Sequence, residues 1–148
     1  MKHGDVPEQQ LCIGNGVIQW VHSQLGSSAP ATDATGVGWM RSGEIIAGAS
    51  FNNWNGANIY MHIAAKRFVP TFVAAIMDYP FRQLECRRVT GMITEKNVQS
   101  RRFAEHLGAR IEGVMQDAAI NDNIVVYGLL RKDALRWLTP AYRRRIGD

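Results

Sequence analysis

Residues Asn97 to Ala109 constrain the fold more than any other part of this chain. They spell a short amphipathic helix with a defined start, a defined stop and a strand directly behind it. Asn97 carries the kind of side chain that accepts hydrogen bonds from the orphan amides of a first helical turn. Ser100, Phe103, Ala104 and Leu107 fall on one face at helical spacing. Gly108 follows as the residue able to take the left-handed conformation that ends a helix. The open N-terminus of such a helix suits an anion, because free N–H groups and the helix dipole point the same way.

The rest of the chain alternates helical and strand-like periods. Val17, Trp20, Val21 and Leu25 predict a helix ended by Gly26, and Ser27 to Gly36 reads as a loop. Val37 to Arg41 and Glu44 to Phe51 read as two strands joined by a tight turn at Ser42 and Gly43. Asn52 to Gly56 is a turn-forming cluster around Trp54, and Asn58 to Ala65 is the next strand. Pro70 sits where a helix tolerates a missing N–H. Phe72, Ile76 and Tyr79 recur on one face of that helix, and Pro80 is expected to end it. Arg88 to Ile93 and Arg110 to Met115 read as strands on either side of the Asn97 helix. Gln116 to Asn123 reads as a polar loop. Ile124 to Leu130 is apolar enough for a central strand buried on both faces, and a helical turn around Asp133 to Trp137 precedes a basic tail. The early strands should pair antiparallel. The unit from Asn58 to Ile93 should join two parallel strands by a right-handed crossover. The result is a mixed α/β sheet.

Bulk properties set the class. At 148 residues, 46% apolar and 20% charged, the chain is long enough for one domain with its own core. No apolar run reaches bilayer length, and the first residues lack an apolar signal core. Two cysteines, Cys12 and Cys86, make no disulfide framework, so a reducing cytoplasm is the expected setting. The net charge of +4 favours an anionic ligand without naming it. Arg87, Arg88, Arg101 and Arg102 cluster around the helix motif, and Arg143, Arg144 and Arg145 near the C-terminus. A phosphate-bearing ligand, a nucleic acid and a solvated basic face all fit that distribution. His3, His22, His62 and His106 are scattered, and neither cysteine stands at ligand spacing from them, so no metal site is expected. There is no Gly-x-Ser-x-Gly elbow and no Walker loop. Neighbouring arginines are of the kind that lower the pKa of Cys86, but nothing else supports a thiol nucleophile.

The pattern from Asn97 through Ser100, Phe103, Leu107, Gly108 and Ala109 to Glu112 and Gly113 resembles the second coenzyme A–binding motif of the GNAT acetyltransferases. Arg88 to Ile93 resembles the fifth strand of that family, and Ile111 to Gly113 and Val126 to Leu130 its two closing strands. The resemblance runs from about Val37 to Trp137. It implies a single GNAT-like domain over residues 1–148, with a mixed, mostly antiparallel twisted sheet of six to seven strands and helices on both faces. It implies acetyl-CoA as donor and a primary amine as acceptor, a protein N-terminus or a small amine, attacking the thioester directly in a ternary complex without a metal. Asn53 to Gly56, Asp78 to Phe81 and Leu135 to Trp137 resemble in particular the GNAT-like proteins of phage and prophage genomes, of the ribosomal-protein N-terminal acetyltransferase type.

Site residues follow from the resemblance. A splay between the strands ending at Ala65 and beginning at Arg88 would admit the pantetheine arm, with the carbonyl contact from backbone near Ile63. Ala65, Lys66 and Arg67 stand on the pyrophosphate loop, Asn97 on the arm, and Arg101 and Arg102 near the phosphates. Ser100 or Tyr127 would stand near the sulfur. His62 suits a general base, with Glu44 and Glu112 as other candidates. Trp54 and Asn53 would wall an acceptor pocket. Each has a plainer reading: a helix cap for Asn97, core for Ser100 and Tyr127, an ordinary sheet histidine for His62, a solvated face for the arginines and a packed turn for Trp54.

The sequence departs from the family twice. The stretch from Ala64 to Thr71 has none of the glycines of the family's pyrophosphate loop, and Pro70 removes a donor there. The family's usual acid tyrosine is replaced by Ala104. These departures, with the run Tyr142 to Ile146, support an alternative reading: a GNAT-like scaffold that binds a protein or nucleic-acid partner without catalysis. A homodimer is compatible with either.

Overall fold

The computed structural model describes residues 8–26, 33–138 and 140. His3, the segment 27–32 within the expected loop, and the basic run from Tyr142 to Ile146 lie outside the described residues. Seven strands form one sheet: β1 (Gln9–Ile13), β2 (Thr35–Arg41), β3 (Glu44–Asn52), β4 (Asn58–Ala65), β5 (Arg88–Thr94), β6 (Arg110–Ala119) and β7 (Asp122–Leu130). Their spatial order is β1-β2-β3-β4-β5-β7-β6. Only the β4–β5 pair is parallel. The mixed, mostly antiparallel sheet is therefore the one the sequence implies.

Helices cover both faces. Helix α1 (Asn15–Leu25) lies over β2, β3 and β4. It can approach because Gly36, Gly38 and Gly48 present no side chain beneath it; a Cβ on Gly48 would meet Val21 at 2.8 Å. The alternate residues Ala47, Ala49 and Phe51 face the other way. There they join Phe72, Val73, Ile76 and Met77 of α2 (Pro70–Met77) in the main core. Helix α3 (Val98–Leu107) lies on that same face, with Leu107 packed into the core beside Leu129. Helix α4 (Arg131–Ala134) and a 3-10 turn (Leu135–Leu138) close the described chain. Trp137 Nε1 donates to the carbonyl of Leu107 at 2.9 Å, which ties that turn to the end of α3.

Several boundaries differ from expectation, each for a physical reason. Strand β1 carries little strand signal, being five residues with two glutamines, and is held by pairing with β2. Strand β2 starts at Thr35, inside the expected loop. Pro80 does not end its helix. The chain widens into a π-helical segment (Asp78–Gln83), which accommodates a ring that would press on the carbonyl four residues back in a narrower helix. Buried Asp78 holds the segment by pairing with Arg82 and accepting from Gln83 Nε2 at 2.8 Å. The polar stretch from Gln116 to Asn123 is mostly ladder: β6 runs to Ala119 and β7 starts at Asp122. Its polarity reflects the exposure of an edge strand. Strand β7 is internal, but Ile124 and Val126 are only half-buried, so burial falls mainly on the face of Val125, Tyr127 and Leu129. The final helical turn begins at Arg131 rather than Asp133.

Candidate active site

The parallel strands β4 and β5 pair only at their first residues, Asn58 with Arg88, Ile59 with Val89 and Tyr60 with Thr90. Beyond that they part. Neither strand has ended: β3 keeps its register with β4 to Ala65, and β7 keeps its register with β5 to Thr94. The sheet thus opens into a V whose two arms are each held by an antiparallel neighbour. A cleft of about 390 Å³ occupies the opening. Met61 to Lys66 form one wall, Gly91 to Thr94 the other, and α3 lies across it.

The amphipathic face read from the sequence is the one turned to the cleft, since Ser100, Phe103, Ala104 and Leu107 all line it. Asn97 caps α3: its Oδ1 accepts from the Ser100 amide at 3.2 Å. Gly108 ends the helix at φ 109°. In this position the first turn of α3 faces the open end of the V.

The other residues singled out in the sequence divide between the cleft and the surface. Ile63, Ala65 and Lys66 line the cleft, and Arg67 is exposed beside them. The N-terminus of α2, which follows this loop, has no side-chain cap. Pro70 has no N–H and the Lys66 amide donates to Ile46 at 2.9 Å. The loop's Phe68 reaches α3 and the terminal turn, with ring centroids 5.4 Å from His106 and 6.0 Å from Trp137. Arg101 turns inward, its Nε donating to the Tyr127 hydroxyl at 3.0 Å and its Nη1 to the Glu95 carbonyl at 3.1 Å. Arg102 is exposed. Trp54 and Asn53 stand on the β3–β4 loop, at the end where β4 and β5 still pair, and neither lines the cleft. Glu44 and Glu112 do not line it either; Glu112 pairs with Arg88 at 2.7 Å, which holds its carboxyl below the usual range.

Two of the three hydroxyl-bearing residues that line the cleft, Tyr127 and Ser100, differ. Tyr127 is 1% exposed and donates to Glu105 Oε2 at 2.6 Å. Burial, then the Glu105 carboxylate, push its phenol above the usual value, against the opposing pull of Arg101. Its proton is thus directed at α3. Ser100 is half-buried at the cleft wall. His62 lines the cleft on β4, with Nε2 3.3 Å from Asn52 Oδ1. Burial, then the nearby His22, lower its pKa below that of an ordinary histidine. The Cys86 thiol is buried, and burial raises its pKa instead of the lowering that the neighbouring arginines suggested.

Sequence reasoning passed over Gly91, Gln24 and Met61 as lining residues and Phe68 as the anchor of the loop. A glycine inside a strand often marks a close approach, and Gly91 sits at the throat of the V, directly across from Tyr127. That was the one usable signal. Among the described residues no group of three or more His, Cys, Asp or Glu side chains is arranged to hold a metal.

No protein-family model matches the sequence, and no curated protein does. Solved structures do match. A mutant form of the spermidine/spermine N-acetyltransferase SpeG from Vibrio cholerae superposes with a TM-score of 0.69 at 14% identity, over 87% of this chain and 98% of that one. A structure described as "Probable acetyltransferase" has a TM-score of 0.59 at 23% identity, over 69% of this chain and 63% of that one. The chain has the GNAT fold.

Proposed function

We propose that this GNAT-fold protein transfers an acetyl group from acetyl-CoA to a primary amine. The observation that carries the reading is the parting of β4 and β5 around a cleft overlain by α3. An extended thioester substrate suits such an opening: strand edges freed from pairing supply backbone N–H groups, and Met61, Ile63 and Phe103 supply apolar wall.

The residues at hand fit that substrate in part. The uncapped N-terminus of α2, with Lys66 and Arg67 beside it, suits phosphate. Lysine and arginine supply charge where glycines would have supplied close backbone approach. Arg102 is the exposed arginine of α3 that would serve the phosphates, because Arg101 is engaged by Tyr127. Asn97 would contact the arm, Ile63 the carbonyl. His62, uncharged at neutral pH, would take a proton from the acceptor amine, and Ser100 would supply one to the departing sulfur. Tyr127 would position α3. Trp54 and Asn53 stay candidates for the acceptor only where it extends past the cleft to the β3–β4 loop.

The narrower likeness to phage and prophage GNAT-like proteins, through the motifs around Trp54, Tyr79 and Trp137, favours a protein N-terminus over a polyamine as acceptor. The cleft supports this choice, since no Asp or Glu among the described residues lines it to hold a polycation. The two free thiols fit a reducing cytoplasm. One structural neighbour is described as a dodecamer, and a homo-oligomer, a dimer at the least, is part of this proposal.

Calorimetric titration with acetyl-CoA tests the reading, with ATP and desulfo-CoA alongside. Saturable micromolar binding, weakened in Asn97→Ala and Arg102→Ala, is expected. Absence of binding up to millimolar ligand would overturn it and leave a GNAT-fold scaffold for a macromolecular partner.

A further inference from the structure

Three side chains surround His62 on the face of the sheet that α1 covers. Gly48 faces α1, so Ser50, two residues on in β3, faces it too. Ser50 pairs directly with His62 across β3 and β4. Asn52, next on that face, places Oδ1 3.3 Å from His62 Nε2. From α1 itself, His22 lays its ring against that of His62, with centroids 5.5 Å apart and planes inclined at 49°. Ser50 Oγ is buried and has no hydrogen-bond partner among the described residues, so a buried hydroxyl is left over beside the imidazole.

We infer that Asn52 and His22 are positioning residues for His62, one fixing which ring nitrogen faces the cleft and the other keeping the ring uncharged. The inference rests on the acetyl-transfer reading above. An amide oxygen accepts, so Nε2 carries the proton and Nδ1 is left with its lone pair. In the transfer, one proton of the acceptor ammonium moves to Nδ1. The freed nitrogen lone pair forms the N–C bond as the C–S bond breaks. The second N–H proton, lost as the amide forms, passes by way of the Ser100 hydroxyl to the departing thiolate, which leaves as the thiol. The His62 imidazolium then returns its proton to solvent. The imidazolium lies beside His22, a group of the same charge type, so it does not persist. Its partners on β3 among the described residues, Ser50 and Asn52, carry no titratable group. Beyond it on the β5 side the strands have parted. Among the described residues His22 is the titratable group that acts on it electrostatically.

The test combines imidazole NMR with rates. In the full chain, His62 should titrate below an ordinary histidine and should show its proton on Nε2. His22→Gln should move that titration to higher pH, and Asn52→Asp should move it higher still by placing a carboxylate on Nε2–H. An unmoved titration in both variants, or a proton on Nδ1, would overturn the inference. Thiol release from acetyl-CoA is then followed with serine- and alanine-initiated peptides and with spermidine. His62→Gln should lose about a hundredfold or more in rate. The acid limb of the kcat/KM profile should follow the NMR midpoints in the other two variants. Release that is present but has the same acid limb in wild type, His22→Gln and Asn52→Asp would overturn this inference alone. No release with any amine would overturn the acetyl-transfer reading and this inference with it.

Discussion

Asn97 turns its side-chain oxygen back onto the amide of Ser100, 3.2 Å away, and so closes the first turn of the helix that overlies the cleft. This single bond links a stability feature to the site, because Ser100 is both the capped amide and a cleft-lining side chain. Replacing Asn97 by Ala should cost about 1 kcal/mol, while Asp or Ser should retain most of the cap. Urea unfolding of the three variants checks this. Equal stability of Asn97→Ala and wild type would show that the cap contributes nothing.

The same segment explains how far the sequence can be read. Capping, helical spacing and a terminal glycine are local, so α3 is legible from Asn97 to Gly108 in the sequence alone. Strand β4 is legible to the residue for the same reason, with turn formers before it and Pro70 after it. Strand β1 is not, because its stability comes from pairing with β2 and not from its own residues. The outer half of the β6–β7 hairpin reads wrongly as a loop because an edge strand is wet. At the site, the cleft face of α3 follows from periodicity. The inward turn of Arg101 does not, because it depends on Tyr127, 26 residues away. The contact between His22 and His62 joins a helix to a strand far along the chain, and no local pattern encodes it.

Two glycines make opposite predictions about the packing. A Cβ at Gly48 would lie 2.8 Å from Val21, 3.2 Å from Val17 and 3.3 Å from Trp20. All three belong to α1, so Gly48→Ala should lift that helix and cost roughly 1–3 kcal/mol. In a chain of this size each kcal/mol corresponds to about 2–4 °C in Tm. A Cβ at Gly128 would instead run into the carboxylate of Glu112 and the guanidinium of Arg88, the flexible ends of an exposed ion pair. Gly128→Ala should move those ends aside and change stability by less than about 1 kcal/mol. Thermal melts of the two variants, read together, separate a rigid neighbour from a yielding one.

Tyr127→Phe tests whether the phenol is an acid or a tether. The hydroxyl donates to Glu105 and accepts from Arg101, both on α3. Its loss should cost about 1 kcal/mol, the ordinary value of a hydrogen bond, with little effect on acetyl transfer. The pH dependence has a definite sign. The phenol pKa is raised in the folded state, so its contribution is fully present below the ordinary tyrosine pKa. It is lost as pH rises through the folded value. Wild type should therefore lose part of its advantage over the Phe variant in strongly alkaline buffer. A large drop in transfer rate at neutral pH with stability unchanged would make Tyr127 the acid instead.

Gly91 offers the sharpest separation of fold from function. It stands at the throat of the V, and a Cβ there would find its nearest neighbours at ordinary contact distance, the Tyr127 Cβ at 3.9 Å and the Met61 carbonyl at 4.0 Å. A larger side chain there enters the cleft, because Gly91 shares with Val89, two residues before it, the face of the sheet on which α3 lies, and it lines the cleft together with α3. Gly91→Leu should therefore fold, since leucine fills existing space and β5 gains a residue better suited to a strand than glycine. It should also block the cleft. The expected result is a Tm within a few degrees of wild type, with acetyl-CoA binding weakened at least tenfold by calorimetry, about 1.4 kcal/mol. Unchanged affinity in a folded Gly91→Leu protein would mean that acetyl-CoA binds outside the V, and the assignment of Ile63, Asn97 and Ser100 to the acyl donor would fall with it.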